Sequence, residues 1–493
     1  MTDGRETQTQ DNQRPRKPLI IGVGASAGAR DSVERFFSRL ALGADQAMVL
    51  VLQHREALDE AWLRVLVQKL DGLKLAAPSD GATIEGKTVY LCPANMITTL
   101  AGDRFAIREA EQTPGERATI DSFLVSLAEH RAEQSIGVIL AGTGSDGTLG
   151  AATLKDHGGL AVAERTAEAS SGDLADANSP AAIADFVLPP EEIPEHVEVY
   201  ARHLRRLEEK QGFDEVLAAA SASLARIADI LRNKTGNDFH GYKQNTFLRR
   251  VQRRMQVVQL DDIANYVDFL RNDKDEAQHL FNDLLIGVTE FFRDKREFEM
   301  LETEVIPKIF EGKSSGQQVR IWVLACATGE EAYSIAILVR EHMLTLDSAP
   351  QVQIFATDID GRALATARVG RYRTNIENDM SPERLARWFV REGDTYCVVK
   401  ELREMCIFSQ HNVIKDAPFS KLDLVSCRNL LIYLDAELQN RVIPLFNFAL
   451  LPGGFLFLGN AENVTRHPDL FAPVDRRARI FKKLDTGTRL SPC

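Results

Sequence analysis

Three residues in the first third of the chain have side chains that could together carry out nucleophilic hydrolysis. Ser26 lies in the segment GVGASAG, His54 follows an apolar run, and Asp146 lies in the segment GTGSDG. A serine hydroxyl can attack a carbonyl carbon when a histidine takes its proton and an aspartate orients that histidine. The three residue types therefore predict acyl transfer through a Ser–His–Asp triad.

The segment around Ser26 has a competing interpretation. The spacing of Gly22, Gly24 and Ala27 also fits a loose dinucleotide fingerprint, in which small residues let the backbone approach a pyrophosphate. A nicotinamide oxidoreductase would need an acidic residue after the second strand to bind the ribose, and His54 is found there instead. A histidine at this position suits a general base, which favours the hydrolase.

Each member of the predicted triad also has a non-catalytic explanation. Ser26 could cap the following helix, His54 could be a core histidine, and Asp146 could form a turn with Gly147. However, each residue follows the end of an apolar run, and ligand sites of open parallel sheets lie at the carboxyl ends of the strands. This shared position favours the triad.

A second group of acidic residues follows two later apolar runs. The run 319–325 is followed by CATGEE, which ends at Glu331, and the run 352–356 is followed by Thr357 and Asp358. An acidic residue after the second strand binds ribose hydroxyls in Rossmann-like folds. The first turn lacks GxGxxG, so the cationic S-adenosylmethionine fits better than NAD. A simpler explanation for Glu331 and its neighbour is that acids in a first helical turn complement the helix dipole.

The elements that must position these residues indicate two α/β domains. Unbroken apolar runs read as strands that are buried on both faces, as in a parallel sheet covered by helices. Such runs occur at 19–23, 48–52 and 136–140, and again at 319–324, 352–356, 422–426 and 454–458. A helical block from about 214 to 301 separates the two sets. We predict an α/β fold with two doubly wound parallel-sheet domains and a helical subdomain between them.

The predicted boundaries follow from these patterns and from the polar ends of the chain. They are a disordered tail at 1–17, a first α/β domain at 18–196, a helical linker at 197–214, a helical subdomain at 215–301, a second, Rossmann-like α/β domain at 302–486 and a tail at 487–493.

Composition excludes several classes of function. The net charge of -12 argues against general nucleic-acid binding, which needs a basic surface. The six cysteines form no CxxC pair, so the sequence predicts neither a disulfide framework nor a metal site. No apolar run approaches the roughly 18 residues of a membrane helix, and the N-terminus lacks a signal peptide. We expect a cytoplasmic protein with no membrane span.

The first domain resembles the catalytic domain of CheB-type chemotaxis protein-glutamate methylesterases. The segments IGVGASAGA, LVLQH and ILAGTGSDGTLGA carry the resemblance, over about residues 17–196. It implies that Ser26, His54 and Asp146 hydrolyse glutamyl methyl esters on chemoreceptors through an acyl-enzyme, and that they also deamidate glutamine. Ala29 and Thr143 replace a glycine and a methionine that are usual in the family. A backbone N–H donor does not depend on the Thr143 side chain, so activity is expected.

The second half, over about residues 215–484, resembles CheR-type chemotaxis receptor methyltransferases. The segments are GVTEFFRD, LACATGEEAYSIA, ATDID, SQHNV, LDLVSCRNLLIYLD and LLPGGFLFLGNAEN. The resemblance implies that S-adenosylmethionine contacts Thr289, Arg293, Glu331, Asp358, Asn412, Val413, Arg428 and Asn429, and that Arg293 also lies near the substrate carboxylate. Two departures are Asn460, where histidine is frequent, and the short stretch 392–399, where the family has a small β-subdomain.

The helical block contains four arginines, at 249, 250, 253 and 254, that share one face of a predicted helix. A solvated charged face is the commoner reason for such a pattern. The resemblance instead implies contact with acidic receptor helices.

The two resemblances together imply a bifunctional signalling enzyme whose substrates are the cytoplasmic helices of chemoreceptors. Histidine-kinase or sensory modules are expected as further partners. The esterase region begins near Pro18, so we expect no attached receiver domain to control it. The alternative is a signalling scaffold in which one or both sites are inactive, and the presence of Ser26, His54, Asp146, Glu331 and Asp358 favours the enzyme.

Overall fold

The computed structural model describes residues 18–25, 29–52, 60–70, 72–93, 96–109, 119–140, 146–165, 180–208, 213–285, 287, 289–393 and 395–484. The chain divides into two compact units. The first comprises residues 1–112 and 117–210, and the second comprises residues 113–116 and 211–493. Ser26, His54 and Thr143 lie outside the described residues, whereas the other predicted site residues lie inside them.

The first unit is an α/β domain. Its strands are β1 (Leu19–Ala25), β2 (Gln46–Leu52), β3 (Lys74–Ala76), β4 (Thr88–Leu91), β5 (Met96–Ala101), β6 (Arg104–Glu109), β7 (Ser135–Leu140), β8 (Leu160–Glu164) and β9 (Phe186–Leu188). Its helices are α1 (Arg30–Phe37), α2 (Glu60–Gln68), α3 (Thr119–Arg131), α4 (Thr148–Asp156), α5 (Pro180–Ile183) and α6 (Ile193–Glu208). Seven strands form one sheet in the order β3-β4-β2-β1-β7-β8-β9, and β5 and β6 form a separate antiparallel pair.

All the pairs of the seven-stranded sheet are parallel, as the buried apolar runs predict. Ala25 at the end of β1 pairs with Leu52 of β2 and with Leu140 of β7. The three strands that precede the predicted triad residues therefore end at adjacent positions in the sheet.

Close packing accounts for Gly24 in the first of these segments. A Cβ atom at Gly24 would lie 2.3 Å from Cγ2 of Ile120 on α3. Ile120 is buried in the core between the sheet and this helix. The glycine is therefore required by helix–strand packing, and it does not need a bound pyrophosphate to explain it.

The second unit begins with a helical subdomain, formed by α7 (Phe213–Thr235), α8 (Gln244–Val257), α9 (Ile263–Asn272) and α10 (Glu276–Leu284). The helices that follow are α11 (Lys295–Met300), α12 (Ile306–Phe310), α13 (Glu330–Met343), α14 (Gly361–Val369), α15 (Pro382–Trp388), α16 (Lys400–Met405) and α17 (Ala436–Ala449). The strands are β10 (Gln318–Leu324), β11 (Gln351–Asp358), β12 (Arg371–Arg373), β13 (Phe389–Glu392), β14 (Thr395–Val398), β15 (Cys406–Gln410), β16 (Leu422–Cys427), β17 (Leu450–Leu458), β18 (Phe471–Asp475) and β19 (Ile480–Lys483).

Seven of these strands form a mixed sheet in the order β15-β11-β10-β16-β17-β19-β18. The pairs from β15 to β17 are parallel, which confirms the predicted α/β fold, but β19 pairs antiparallel with both β17 and β18. A short turn joins β18 to β19, and a parallel pair would need a much longer crossover. The remaining strands, β12, β14 and β13, form a small antiparallel sheet where the sequence suggests a shortened subdomain.

Three of the four arginines on α8, at 250, 253 and 254, are buried, so neither interpretation of an exposed basic face holds for them. Arg254 makes two hydrogen bonds to Glu276 on α10, of 2.9 and 2.6 Å, and Arg253 forms an ion pair with Asp283 on the same helix. Their side chains are only 6% and 2% exposed. The prediction that the four arginines share one face is therefore wrong: Arg253 and Arg254 pack against α10, whereas Arg249 is exposed.

None of the helices within the described residues is long and apolar enough to cross a membrane.

Candidate active sites

The second unit contains a cleft at the carboxyl ends of its central strands. Leu324 at the end of β10 pairs with Thr357 of β11 and with Cys427 of β16, so the loops after these strands leave the sheet side by side. The cleft has about 1180 Å³ of empty space, part of which is open to solvent. All eight residues predicted to contact the cofactor line this cleft, namely Thr289, Arg293, Glu331, Asp358, Asn412, Val413, Arg428 and Asn429.

Glu331 reaches the cleft from the first turn of α13. Gly329 precedes this helix with φ 100°, a backbone conformation that favours glycine. One carboxylate oxygen of Glu331 accepts a hydrogen bond of 2.7 Å from Ser426 Oγ, and the other lies 3.4 Å from Nη1 of Arg428. Burial raises the pKa of Glu331, while Arg428, Ser426 and Arg293 oppose this rise. The result is a carboxylate fixed at the floor of the cleft.

Asp358 is the last residue of β11, where the sequence predicts a ribose-binding acid. Its Oδ2 accepts a hydrogen bond of 2.8 Å from the backbone N–H of Ala327, and its Oδ1 accepts one of 2.9 Å from the N–H of Asp360. Burial raises the pKa of Asp358, and these two N–H groups act against that rise. The carboxylate therefore ties the turn after β10 to the end of β11.

Arg428 contacts Glu331 at the start of α13 as well as the residues just before α11. Its side chain is fully buried, and Nη2 donates to the carbonyl oxygen of Arg293 at 2.9 Å and to Oδ2 of Asp294 at 2.6 Å. The guanidinium carbon lies 5.1 Å and 4.7 Å from the ring centroids of Phe298 and Phe457. Such contacts with aromatic rings stabilise a buried guanidinium. Arg428 is thus a structural part of the cleft wall as well as one of its lining residues.

Asn412 and Val413 lie after β15 on the other side of Asp358. The Asn412 side chain donates to Oδ1 of Asn237 at 3.1 Å and accepts from the N–H of Ile414 at 3.0 Å. Asn237 belongs to the helical subdomain, so the loop after β15 is hydrogen-bonded to that subdomain.

Several lining residues that were not predicted from the sequence come from the helical subdomain. Phe239, Tyr242 and Leu284 line the cleft together with Tyr433, which follows β16. The rings of Tyr242 and Tyr433 stack with centroids 6.4 Å apart, and the N–H of Lys243 donates to the carbonyl oxygen of Tyr433 at 2.9 Å. Aromatic residues in a helical block usually indicate core packing, so the sequence alone does not predict that these residues line the cleft.

Asp146 occupies the corresponding edge of the sheet in the first unit. Its two oxygens accept hydrogen bonds of 2.8 and 3.1 Å from the N–H groups of Asp121 and Ile120 at the start of α3. Asp121 in turn accepts hydrogen bonds of 3.0 and 2.7 Å from the N–H groups of Gly147 and Gly150 at the start of α4. Burial, with the nearby charge of Asp121, raises the pKa of Asp146 to about 7. A partly buried carboxyl group thus lies two residues before the start of α4, and its role in a triad stays a prediction because Ser26 and His54 lie outside the described residues.

The sequence matches known families along most of its length. Residues 287–480 match the CheR methyltransferase SAM-binding domain, residues 222–285 match the CheR methyltransferase all-alpha domain, and residues 21–197 match CheB methylesterase.

Named relatives include chemotaxis protein methyltransferase 2 of Vibrio cholerae. It is 30% identical over 261 residues, which are 52% of this chain and 90% of that protein. An uncharacterized 104.1 kDa protein of Rhodobacter capsulatus is 32% identical over 431 residues, or 83% of this chain. The match covers 45% of that larger relative, so the chain spans less than half of its length.

Among solved structures, the CheB methylesterase catalytic domain of Thermotoga maritima aligns with 36% of this chain and 97% of its own length. The identity is 26% and the TM-score is 0.30. This score is below 0.5, so the family assignment rests on the sequence matches.

Proposed function

Because the chain belongs to the CheR chemotaxis methyltransferase family and also carries a CheB methylesterase domain, we propose that it adds and removes methyl esters on the same class of protein glutamates. The main support for this proposal is the cleft of the second unit, which is lined by the eight residues expected to bind S-adenosylmethionine.

The chemistry of the cleft fits this cofactor. S-adenosylmethionine, when bound, supplies a methyl group on a positively charged sulfur. Asp358 at the end of β11 suits the ribose hydroxyls, because an acidic residue at this position does so in other Rossmann-like folds. Glu331 provides negative charge at the floor of the cleft, while Asn412 and Val413 offer polar and apolar contacts beside it. Thr289, Arg428 and Asn429 complete the proposed contacts.

The acceptor needs little acid–base help from the protein. A glutamate carboxylate is ionised near neutral pH and can act directly as the nucleophile. In this proposal Arg293 holds the substrate carboxylate in line with the methyl group. The rate then depends mainly on alignment and on the exclusion of water.

In the first unit we propose that Ser26 attacks the carbonyl carbon of a glutamyl methyl ester. His54 takes the serine proton and passes it to the departing methanol, and Asp146 stabilises the histidinium that forms. Water then attacks the acyl-enzyme and releases the glutamate. The same steps on a glutamine side chain would release ammonia, which is deamidation.

The proposed substrates are the cytoplasmic helices of chemoreceptors, which places the protein in the cytoplasm. Histidine-kinase or sensory modules are the proposed further partners. Both domain families support this substrate class, since the two proposed reactions are opposite and act on one chemical group.

Binding of the cofactor can be tested by calorimetry on the full chain. We expect S-adenosylmethionine to bind the unmodified protein and the variant Asp360→Ala, and to bind Asp358→Ala at least tenfold more weakly. Asp360 is a suitable control because it caps α14 through the N–H groups of Arg362 and Ala363 and does not line the cleft. NADH should not bind in a fluorescence titration. Equal binding of S-adenosylmethionine to both variants would contradict the role of Asp358.

A further inference from the structure

Glu462 is a buried acidic residue that neither predicted site includes. It lies in the loop after β17, only 3% of its surface is exposed, and it does not line the cleft. Leu458 at the end of β17 pairs with Cys427 at the end of β16. The loop that carries Glu462 is therefore next to the loop that carries Arg428 and Asn429.

The Glu462 carboxylate accepts hydrogen bonds from four backbone N–H groups. Oε2 accepts from Asn429 at 3.0 Å and from Gly459 at 2.8 Å. Oε1 accepts from Leu431 at 2.6 Å and from Ile432 at 3.3 Å. Three of the four donors belong to the loop after β16, so one side chain determines the path of that loop.

The backbone conformation is restricted at both Asn429 and Gly459. Asn429 has φ 61°, in the left-handed region that few residues other than glycine adopt. A Cβ atom at Gly459 would lie 2.9 Å from the Asn429 nitrogen and 2.9 Å from Glu462 Oε2. The two loops thus approach so closely that only glycine fits, and the carboxylate bridges them.

We propose that Glu462 is a positioning residue for the cofactor site, which fixes the loop after β16 and so orients Arg428 and Asn429. The inference rests on the proposed function of the cleft. The carboxylate also satisfies the N–H groups at the start of the 3₁₀ turn Leu431–Tyr433, which brings Tyr433 into the cleft wall. Buried N–H groups that lose their acceptor destabilise a loop strongly.

The variant Glu462→Gln tests this role in the full chain. A glutamine side chain keeps one acceptor oxygen and replaces the other with an NH₂ group, which repels two of the four N–H donors. We expect the Kd for S-adenosylmethionine, measured by calorimetry, to rise about tenfold, which corresponds to the loss of one or two hydrogen bonds. The KM for the cofactor should rise by a similar factor, with a smaller change in kcat.

The control is Asp475→Asn, since Asp475 also accepts two backbone hydrogen bonds, each 2.7 Å long, but its donors Arg477 and Ala478 belong to a turn that does not line the cleft. Its Kd should stay within about twofold of the unmodified protein. A merely structural role of Glu462 would reduce the active fraction, and hence kcat, without raising KM. If Glu462→Gln does not fold, Glu462→Asp keeps the charge with a shorter reach, and we expect the same rise in KM.

Unchanged Kd and KM in a folded Glu462 variant would overturn the inference and leave the proposed function intact. Failure of the unmodified chain to bind S-adenosylmethionine would overturn both.

Discussion

Glu330 and Glu331 are neighbours in the sequence, yet their carboxylates have different surroundings. Glu331 lines the cleft and contacts Ser426 and Arg428, whereas Glu330 is buried behind it and accepts hydrogen bonds from Thr328 Oγ1. Burial raises the pKa of Glu330 to about 7. Both side chains occupy the first turn of α13, so the helix-dipole explanation does not distinguish them, and only the packing does.

The contribution of Glu330 to the stability of the second unit should decrease as the pH rises. The unfolded chain releases this proton near the ordinary value of 4.5, whereas the folded protein retains it up to about 7. The folded state binds more protons in this range, so the contribution to stability is complete below the lower value and is lost as the pH rises through about 7. Between about pH 5 and about pH 8, the midpoint temperature of thermal unfolding should fall less for Glu330→Gln than for the unmodified protein.

The control for this series is Glu311→Gln, because Glu311 is an exposed carboxylate. It should follow the unmodified protein at every pH. Parallel curves for Glu330→Gln and the unmodified protein would contradict the assignment of the proton to Glu330.

Among the elements, α3 and α4 of the first unit stabilise each other through a reciprocal pair of carboxylates. Asp146 accepts from the start of α3, and Asp121 accepts from the start of α4. Each side chain satisfies N–H groups that have no partner within their own helix. The position of Asp146 therefore depends on a residue that the motifs do not identify.

Removal of Asp121 should affect both stability and ester hydrolysis. Asp121→Ala leaves the N–H groups of Gly147 and Gly150 without this acceptor, which should cost about 1–2 kcal/mol in urea unfolding and slow methanol release from methylated receptors. Asp121→Asn keeps one acceptor oxygen and should lose less of both. Wild-type stability and methanol release in Asp121→Ala would show that the reciprocal contact is not needed.

The α8–α10 contact of the helical subdomain gives a separate test. Arg254→Ala removes two charge-assisted hydrogen bonds from the buried Glu276, whose remaining side-chain contacts include Tyr266 and His279, and we expect a loss of about 3 kcal/mol in the free energy of unfolding. Arg249→Ala on the exposed side of the same helix should change stability by less than about 0.5 kcal/mol. Similar losses in the two variants would mean that the buried ion pair stabilises the fold no more than an exposed arginine does.

The sequence predicts those helices and strands that a local pattern of residues defines. Apolar runs identify the parallel strands, and the residues just after Leu324, Thr357 and Cys427 are brought together because parallel strands end at one edge. The pattern of arginines on α8 identifies neither which of them are buried nor the helix that covers them. For the same reason the contribution of Tyr242 to the cleft could not be foreseen, since it depends on contacts between segments that are distant in sequence.

For the whole molecule, the proposed function requires that one chain carry two opposed reactions. The esterase and methyltransferase families match separate parts of the chain, at residues 21–197 and 222–480, and the two units correspond to these parts. A variant of one site should therefore leave the other reaction intact. This independence allows each reaction to be assigned by a single substitution.

The most direct test uses receptor-containing membranes and S-adenosylmethionine labelled in its methyl group. Label should appear on receptor protein and then be released as methanol by the unmodified chain. Ser26→Ala should accumulate more label and release none, and Asp358→Ala should incorporate almost none. Methanol release that persists in Ser26→Ala, or labelling that persists in Asp358→Ala, would contradict the claim that this chain both adds and removes methyl esters through these two sites.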